Sequence, residues 1–276
     1  EKHPELVDGV ILACPAANPQ DALIAYFGDA LWGFKALFDP SIKVGGYSTD
    51  PATRVTEQYA NIGKVLTVLG KLSAGLSSGA WPDTASPAGK ALQAAGIPSR
   101  SALLTVGLMA GVSTRSKHVD GTSGPTGAAE TYPLAVAPAV AILENMGATL
   151  NYGTLLIADG ELLAGGKVYD NTKTDYAARV AADADIFSFA LSGNSAVAGI
   201  IGALAATPRE TADAAAVAKI APLIGLTGKI TKPTIIFQAE SEEFVPASIV
   251  QWYIDTYAGQ YAAEKMKAMA DAKKSR

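Results

Sequence analysis

The sequence predicts an α/β protein in which parallel core strands are separated by a large helical insertion. Two short apolar runs, VILA at Val10–Ala13 and TIIF at Thr234–Phe237, stand between Gly and Pro turn signals, the pattern of buried parallel strands. Roughly two hundred residues of mainly helical periodicity separate them. After the second run comes a polar loop, Gln238 to Glu243, with carboxylates at Glu240, Glu242 and Glu243. A helix then opens at Ala247, and its Ile249, Trp252, Tyr253, Thr256 and Tyr257 recur at helical spacing. Strand, acidic loop and returning helix make half of a βαβ unit, and open α/β sheets place their chemistry at the carboxyl ends of strands.

Composition narrows the function classes. A chain of 276 residues is long enough for one large α/β domain with its own core. With 49% hydrophobic and 17% charged residues it is neither disordered nor a coiled coil. A net charge of −4 gives no support for a nucleic-acid partner or an anionic membrane surface. No apolar run approaches 18 residues, so no membrane span is expected. The single cysteine, Cys14, reads as a small core residue of the first strand.

Taken in order, Pro4 ends a helix, Gly9 permits a tight turn, and Val10–Ala13 is the first strand, stopped by Pro15. Asn18 or Asp21 can cap a helix over 22–38 that carries Tyr26, Phe27, Trp32, Phe34 and Phe38, either packing on a neighbour or walling a substrate pocket. Asp50-Pro51 starts a second helix with Pro at its first position. A short helix follows at 87–95, and another at 99–112. The stretch 112–127 is loop by its Gly, Ser and Thr content. Residues 128–146 read as a helix closed by Gly147, and 155–158 as a strand leading into an Asp159-Gly160 hairpin turn. Helices are expected at 174–183, 186–204 (buried) and 212–224.

Three segments carry a family resemblance. The first is Pro233-Thr234, the strand to Phe237, the loop Gln238-Ala239-Glu240-Ser241-Glu242-Glu243, and Phe244-Val245-Pro246. It resembles the acid strand and acid loop of the α/β-hydrolase superfamily. The second, His3 to Ala16, is similar to the segment just after the nucleophile helix of that fold. The third, Gly165 to Tyr176, resembles a segment of a group of bacterial, often exported, serine hydrolases distantly like prolyl oligopeptidases. The resemblance implies a partial α/β-hydrolase fold: core at 1–16, a mainly helical cap over 17–220, and core again at 221–276. It places Glu242 where the family carries its catalytic acid, usually Asp. It further implies an internal fragment that starts after the nucleophile and ends before the catalytic histidine. Such a fragment is inactive, inside a parent that transfers an acyl group from a small-molecule ester or peptide to water. The rival expectation is a non-catalytic binding or scaffold protein on the same fold. Localisation and oligomeric state stay open, with export suggested by the resemblance alone.

Other motifs fit chemistry less well. Gly75-Leu76-Ser77-Ser78-Gly79 matches a nucleophile-elbow string, but a helix precedes it where the elbow needs a strand. Gly193-Asn194-Ser195-Ala196-Val197 lacks the last glycine of that string. His118 precedes the acid in chain order, against the order of the fold, and reads as a polar loop residue. Two histidines and one cysteine, far apart, give no metal-ligand cluster, and no cofactor fingerprint occurs. Asp170, Asn171 and Asp175 do not match calcium-loop spacing and are expected to serve turns and caps.

Overall fold

The computed structural model describes residues 3–15, 20–116, 137–224, 231–239, 242, 244–255 and 262–267. Strand β1 (Val10–Ala13) and strand β2 (Thr234–Phe237) pair in parallel, Val10 opposite Thr234 and Ala13 opposite Phe237. Between them run α1 (Gln20–Leu37), α2 (Pro51–Gly75), α3 (Pro87–Ala94), α4 (Ser99–Ala110), α5 (Pro138–Ala164), α6 (Tyr176–Phe187), α7 (Asn194–Ala205) and α8 (Ala214–Ile220). Helix α9 (Ala247–Tyr253) follows β2. Within 20–220 the described residues contain helices and no strand.

Helix α5 is the axis of the helical body, packing on α1, α2, α4 and α8. Its buried side contains Ala139, Ile142, Met146, Leu150, Gly153 and Ile157, spaced three or four apart as one helix face requires. This overturns the expected ending at Gly147 and the expected strand and hairpin at 155–160. Gly147 lies mid-helix with open space where a Cβ would go, and Gly165, at φ +81°, is the true C-cap. The local turn signal of Asp159-Gly160 is outweighed by contacts on both sides of the helix. The next turn's Glu161 is buried and accepts hydrogen bonds from the backbone N–H of Gly46 and Tyr47 at 2.8 and 2.9 Å. Helix α4 is buried along nearly its whole length, as a helix apolar on all sides must be.

Asp21 lies inside α1 and does not cap it, and Asn18 lies outside the described residues, whereas the starts of α2 and α3 are capped by the residue before the proline. Asp50 accepts from Thr53 N at 2.9 Å with Pro51 at the first position of α2, and Ser86 accepts from Gly89 N at 3.0 Å at the start of α3. The expected buried helix over 186–204 is two elements. Helix α6 ends at Phe187, the chain turns through Ser192 (φ +64°) and Gly193 (φ +87°), and α7 begins at Asn194. Ile186 and Phe189 point outward, 73% and 97% exposed, so the apolar content of this stretch is shared between core and surface.

The strand pair also departs from expectation. Both strands alternate half-buried and exposed positions instead of being fully buried, and Ile11, Ile235 and Phe237 are 71%, 54% and 58% exposed. Among the described residues each strand has one strand neighbour, which leaves an outer edge on each, and the exposed Ile11, Ile235 and Phe237 leave one face of the pair open. Cys14 lies just past β1, not within it. It is half-buried, with φ +43°, and its N–H reaches Phe237 O at 2.7 Å. No helix among the described residues is long and apolar enough to cross a membrane.

Candidate functional site

The acidic loop leaves the carboxyl end of β2 and is tied across its base. Gln238 Nε2 donates to Val245 O at 2.6 Å, and Gln238 Oε1 is buried without a donor. Inside this span Glu242 is half-buried, and its Oε1 accepts from the N–H of Phe244 at 3.0 Å. That bond folds the carboxylate back over its own turn, in the manner of short polar side chains at turns. Its second oxygen has no partner among the described residues. Glu240 and Glu243 lie outside the described residues.

Immediately after Glu242 the chain joins the helical body. Val245 and Ile249 are buried in its core, and the ring of Phe244 meets Tyr152 of α5 edge to face at 4.2 Å. Here a cavity of about 410 Å³ opens. Phe244 and Val245 form one wall, Leu23 and Phe27 of α1 another, and Leu156 and Leu163 of α5 a third. Asp159 adds a carboxylate to this otherwise apolar lining. Such a volume, mostly apolar with few polar groups, suits a drug-sized apolar ligand. Phe27 and Phe244 thus border a cavity, whereas Trp32 and Phe34 of α1, and Phe38 just after it, are fully buried core.

The remaining sequence candidates are dispersed. Ser77 is exposed on the turn after α2, and no strand precedes it; its carbonyl accepts from Arg100 Nη1 at 3.0 Å. Ser195 sits in the first turn of α7. His118 lies outside the described residues. His3, the described histidine, is exposed and hydrogen-bonds Glu5 at 3.2 Å. Asp170 accepts from Thr172 and from Ala212 N, Asn171 bridges Tyr176 and Glu210, and Asp175 caps α6 through Ala178 N. These are turn and cap roles. The described residues hold no cluster of three or more His, Cys, Asp or Glu placed to bind a metal ion.

A second polar cluster escaped the sequence reading. Asp29 of α1 is 1% exposed and accepts from Tyr169 OH at 2.6 Å, from Tyr176 OH at 2.7 Å and from Arg179 Nη1. Burial pushes the Asp29 carboxyl above its ordinary range, while the Arg179 charge and the tyrosine donors act in the opposite direction. The same burial, with the adjacent Asp29 charge, pushes both phenols up. Tyr169 and Tyr176 thus stay protonated and act as donors to the carboxylate. The available signal was a lone carboxylate in the middle of an aromatic helix, because a buried charge needs partners. Its partners could not be read locally, since they come from more than 100 residues away.

Comparison of the chain with protein-family models, with curated proteins and with solved structures finds no match.

Proposed function

We propose that this chain is the acid-bearing and cap-bearing part of a serine hydrolase of the α/β-hydrolase type, acting on an ester or peptide bond with a sizeable apolar portion. One observation carries the reading. A carboxylate loop at the carboxyl end of a parallel strand is followed, from Phe244, by the segment that walls an apolar cavity against α1 and α5. In this reading β1 and β2 belong to a wider sheet. The free outer edges of the two strands support a wider sheet, and the open face at Ile11, Ile235 and Phe237 supports a further layer on it, because parallel sheets occur almost only with both faces covered. Glu242 orients a histidine and stabilises its protonated form while that histidine takes the proton of an attacking serine. The serine and histidine come from sequence flanking the 276 residues, and the cavity beside Phe244 holds the apolar part of the substrate.

A non-catalytic binding protein on the same fold is favoured by a different observation. Glu242 already spends one oxygen on its own loop, and the cavity is complete without a serine or histidine among the described residues.

Turnover of a p-nitrophenyl ester separates the two. The 276-residue chain alone is expected to match an inert protein control. A parent containing it is expected to turn the ester over, and Glu242→Gln in that parent to lower kcat by about 10⁴-fold with Tm unchanged. Wild-type turnover in the Gln variant would remove Glu242 from the mechanism. A parent with no turnover on any ester or peptide would leave the binding protein as the reading.

A further inference from the structure

A second cavity, sharing no residue with the one beside Phe244, lies where the start of α6 meets the end of α7. Its volume is about 300 Å³. Ile201, Leu204 and Ala205 of α7 give it an apolar side, and Lys173, Tyr176 and Arg209 a cationic and aromatic side.

Arg209 is the informative residue. Its guanidinium carbon sits 4.5 Å from the Tyr176 ring centroid and 4.8 Å from that of Trp32, and those two rings stack at 5.0 Å. Its Nη1 is buried without a hydrogen-bond acceptor, and among the described residues it makes no ion pair. The nearby carboxylates are engaged elsewhere. Asp29 holds Tyr169, Tyr176 and Arg179, and Glu210 pairs with Lys35 at 2.5 Å and Lys167 at 3.8 Å. Asp170 holds Thr172 and Ala212 N. Asp175, on the cavity wall, is turned onto Ala178 N. The Arg209 backbone is fixed on both sides. Pro208 O accepts from Trp32 Nε1 at 2.9 Å, and Glu210 exchanges backbone and side-chain bonds with Asn171 at 2.8 and 3.1 Å. Arg209 lines the cavity, and its guanidinium, with five donors in a planar fork, uses none of them in a hydrogen bond or ion pair among the described residues. Held rigidly at a cavity with an apolar far side, this one is preorganised for an anion.

We propose that this cavity binds a small monocarboxylate with a short aliphatic body, its carboxylate on Arg209 and its chain against Ile201, Leu204 and Ala205. A planar carboxylate matches the guanidinium fork, and Lys173 adds a second positive charge. Asp175 on the same wall disfavours a dianion such as phosphate. The apolar side disfavours any anion without a hydrocarbon part.

The test is calorimetric titration of the 276-residue chain with sodium hexanoate, hexan-1-ol and inorganic phosphate at matched ionic strength. Hexanoate should saturate, binding at least about tenfold tighter than either comparator, and Arg209→Gln should weaken it at least about tenfold. Ala205→Trp fills the cavity from an exposed helix end and keeps the Arg209 side chain itself, so it should abolish binding with circular dichroism unchanged. That second variant decides the matter if Arg209→Gln does not fold. Absence of saturable hexanoate binding, equal binding of hexanol or phosphate, or undiminished binding by the Ala205→Trp protein would overturn the proposal.

Discussion

The helical body and the strand pair obey the same packing rules to different degrees of completion. In the body, α5 buries one face from Ala139 to Ala164, α4 is covered along nearly its whole length, and even the carboxylates of Asp29 and Glu161 are enclosed with their donors in place. In the strand pair, Ile11, Ile235 and Phe237 face outward, and the described contacts that bind it to the body run through the following segment at Phe244, Val245 and Ile249. A two-stranded sheet is marginal alone, so this pair depends on what packs against it. The difference shows where stability resides and where it does not. The body carries it, while the acidic loop and strands contribute position more than burial.

Cutting a large side chain from each region is the strongest way to break that contrast. Phe34→Ala in α1, at 0% exposure, should cost about 3–5 kcal/mol in chemical denaturation, the price of lost burial plus a cavity. Ile11→Ala, from a side chain 71% exposed, should stay within about 0.5 kcal/mol. Equal losses at the two positions would mean that the strand pair is as well buried as the body.

Two glycines of α5 sharpen the comparison within the body itself. A Cβ at Gly153 would fall 2.9 Å from Phe27 Cβ, so Gly153→Ala should destabilise by about 1–3 kcal/mol through overpacking. A Cβ at Gly147 meets nothing within 4 Å, so Gly147→Ala should stabilise by about 0.5–1 kcal/mol through helix propensity. Thermal melts of the two variants should therefore move in opposite directions. A destabilised Gly147→Ala protein would point back to a helix end at that residue.

The finest effect expected is a slope with pH. Because burial raises the Asp29 carboxyl in the folded chain, the folded state takes up its proton before the unfolded chain does. Asp29 therefore adds stability as pH falls from its raised folded value toward the ordinary value near 3.8, and that contribution is lost as pH rises through the folded value. Asn cannot titrate. The Tm of the wild type minus that of Asp29→Asn should become more positive as the pH is lowered across this window. A difference that is flat or shrinks on acidification would show that Arg179 and the tyrosines outweigh burial at this carboxyl.

Much of this architecture was determined by the sequence alone, because the forces involved act within a few residues. Pro51 and Pro87 at first helical positions and the two apolar runs bounded by Gly and Pro all place their elements within a residue or two. The position of Glu242 in a loop after β2 follows from the same punctuation. What only the tertiary structure decided depends on distant partners. Gly147 and Asp159-Gly160 carry local turn signals, yet α1, α2 and α4 pack on α5 and keep it one continuous helix. The parallel pairing of β1 with β2 joins residues more than 200 apart. The enclosure of Asp29 by Tyr169, Tyr176 and Arg179, the unpaired guanidinium of Arg209, and the cavity where Phe244 meets α1 and α5 arise where separate helices converge. Burial and charge pairing are properties of that convergence. Local spacing fixes which face of a helix is apolar, but not what the face will meet.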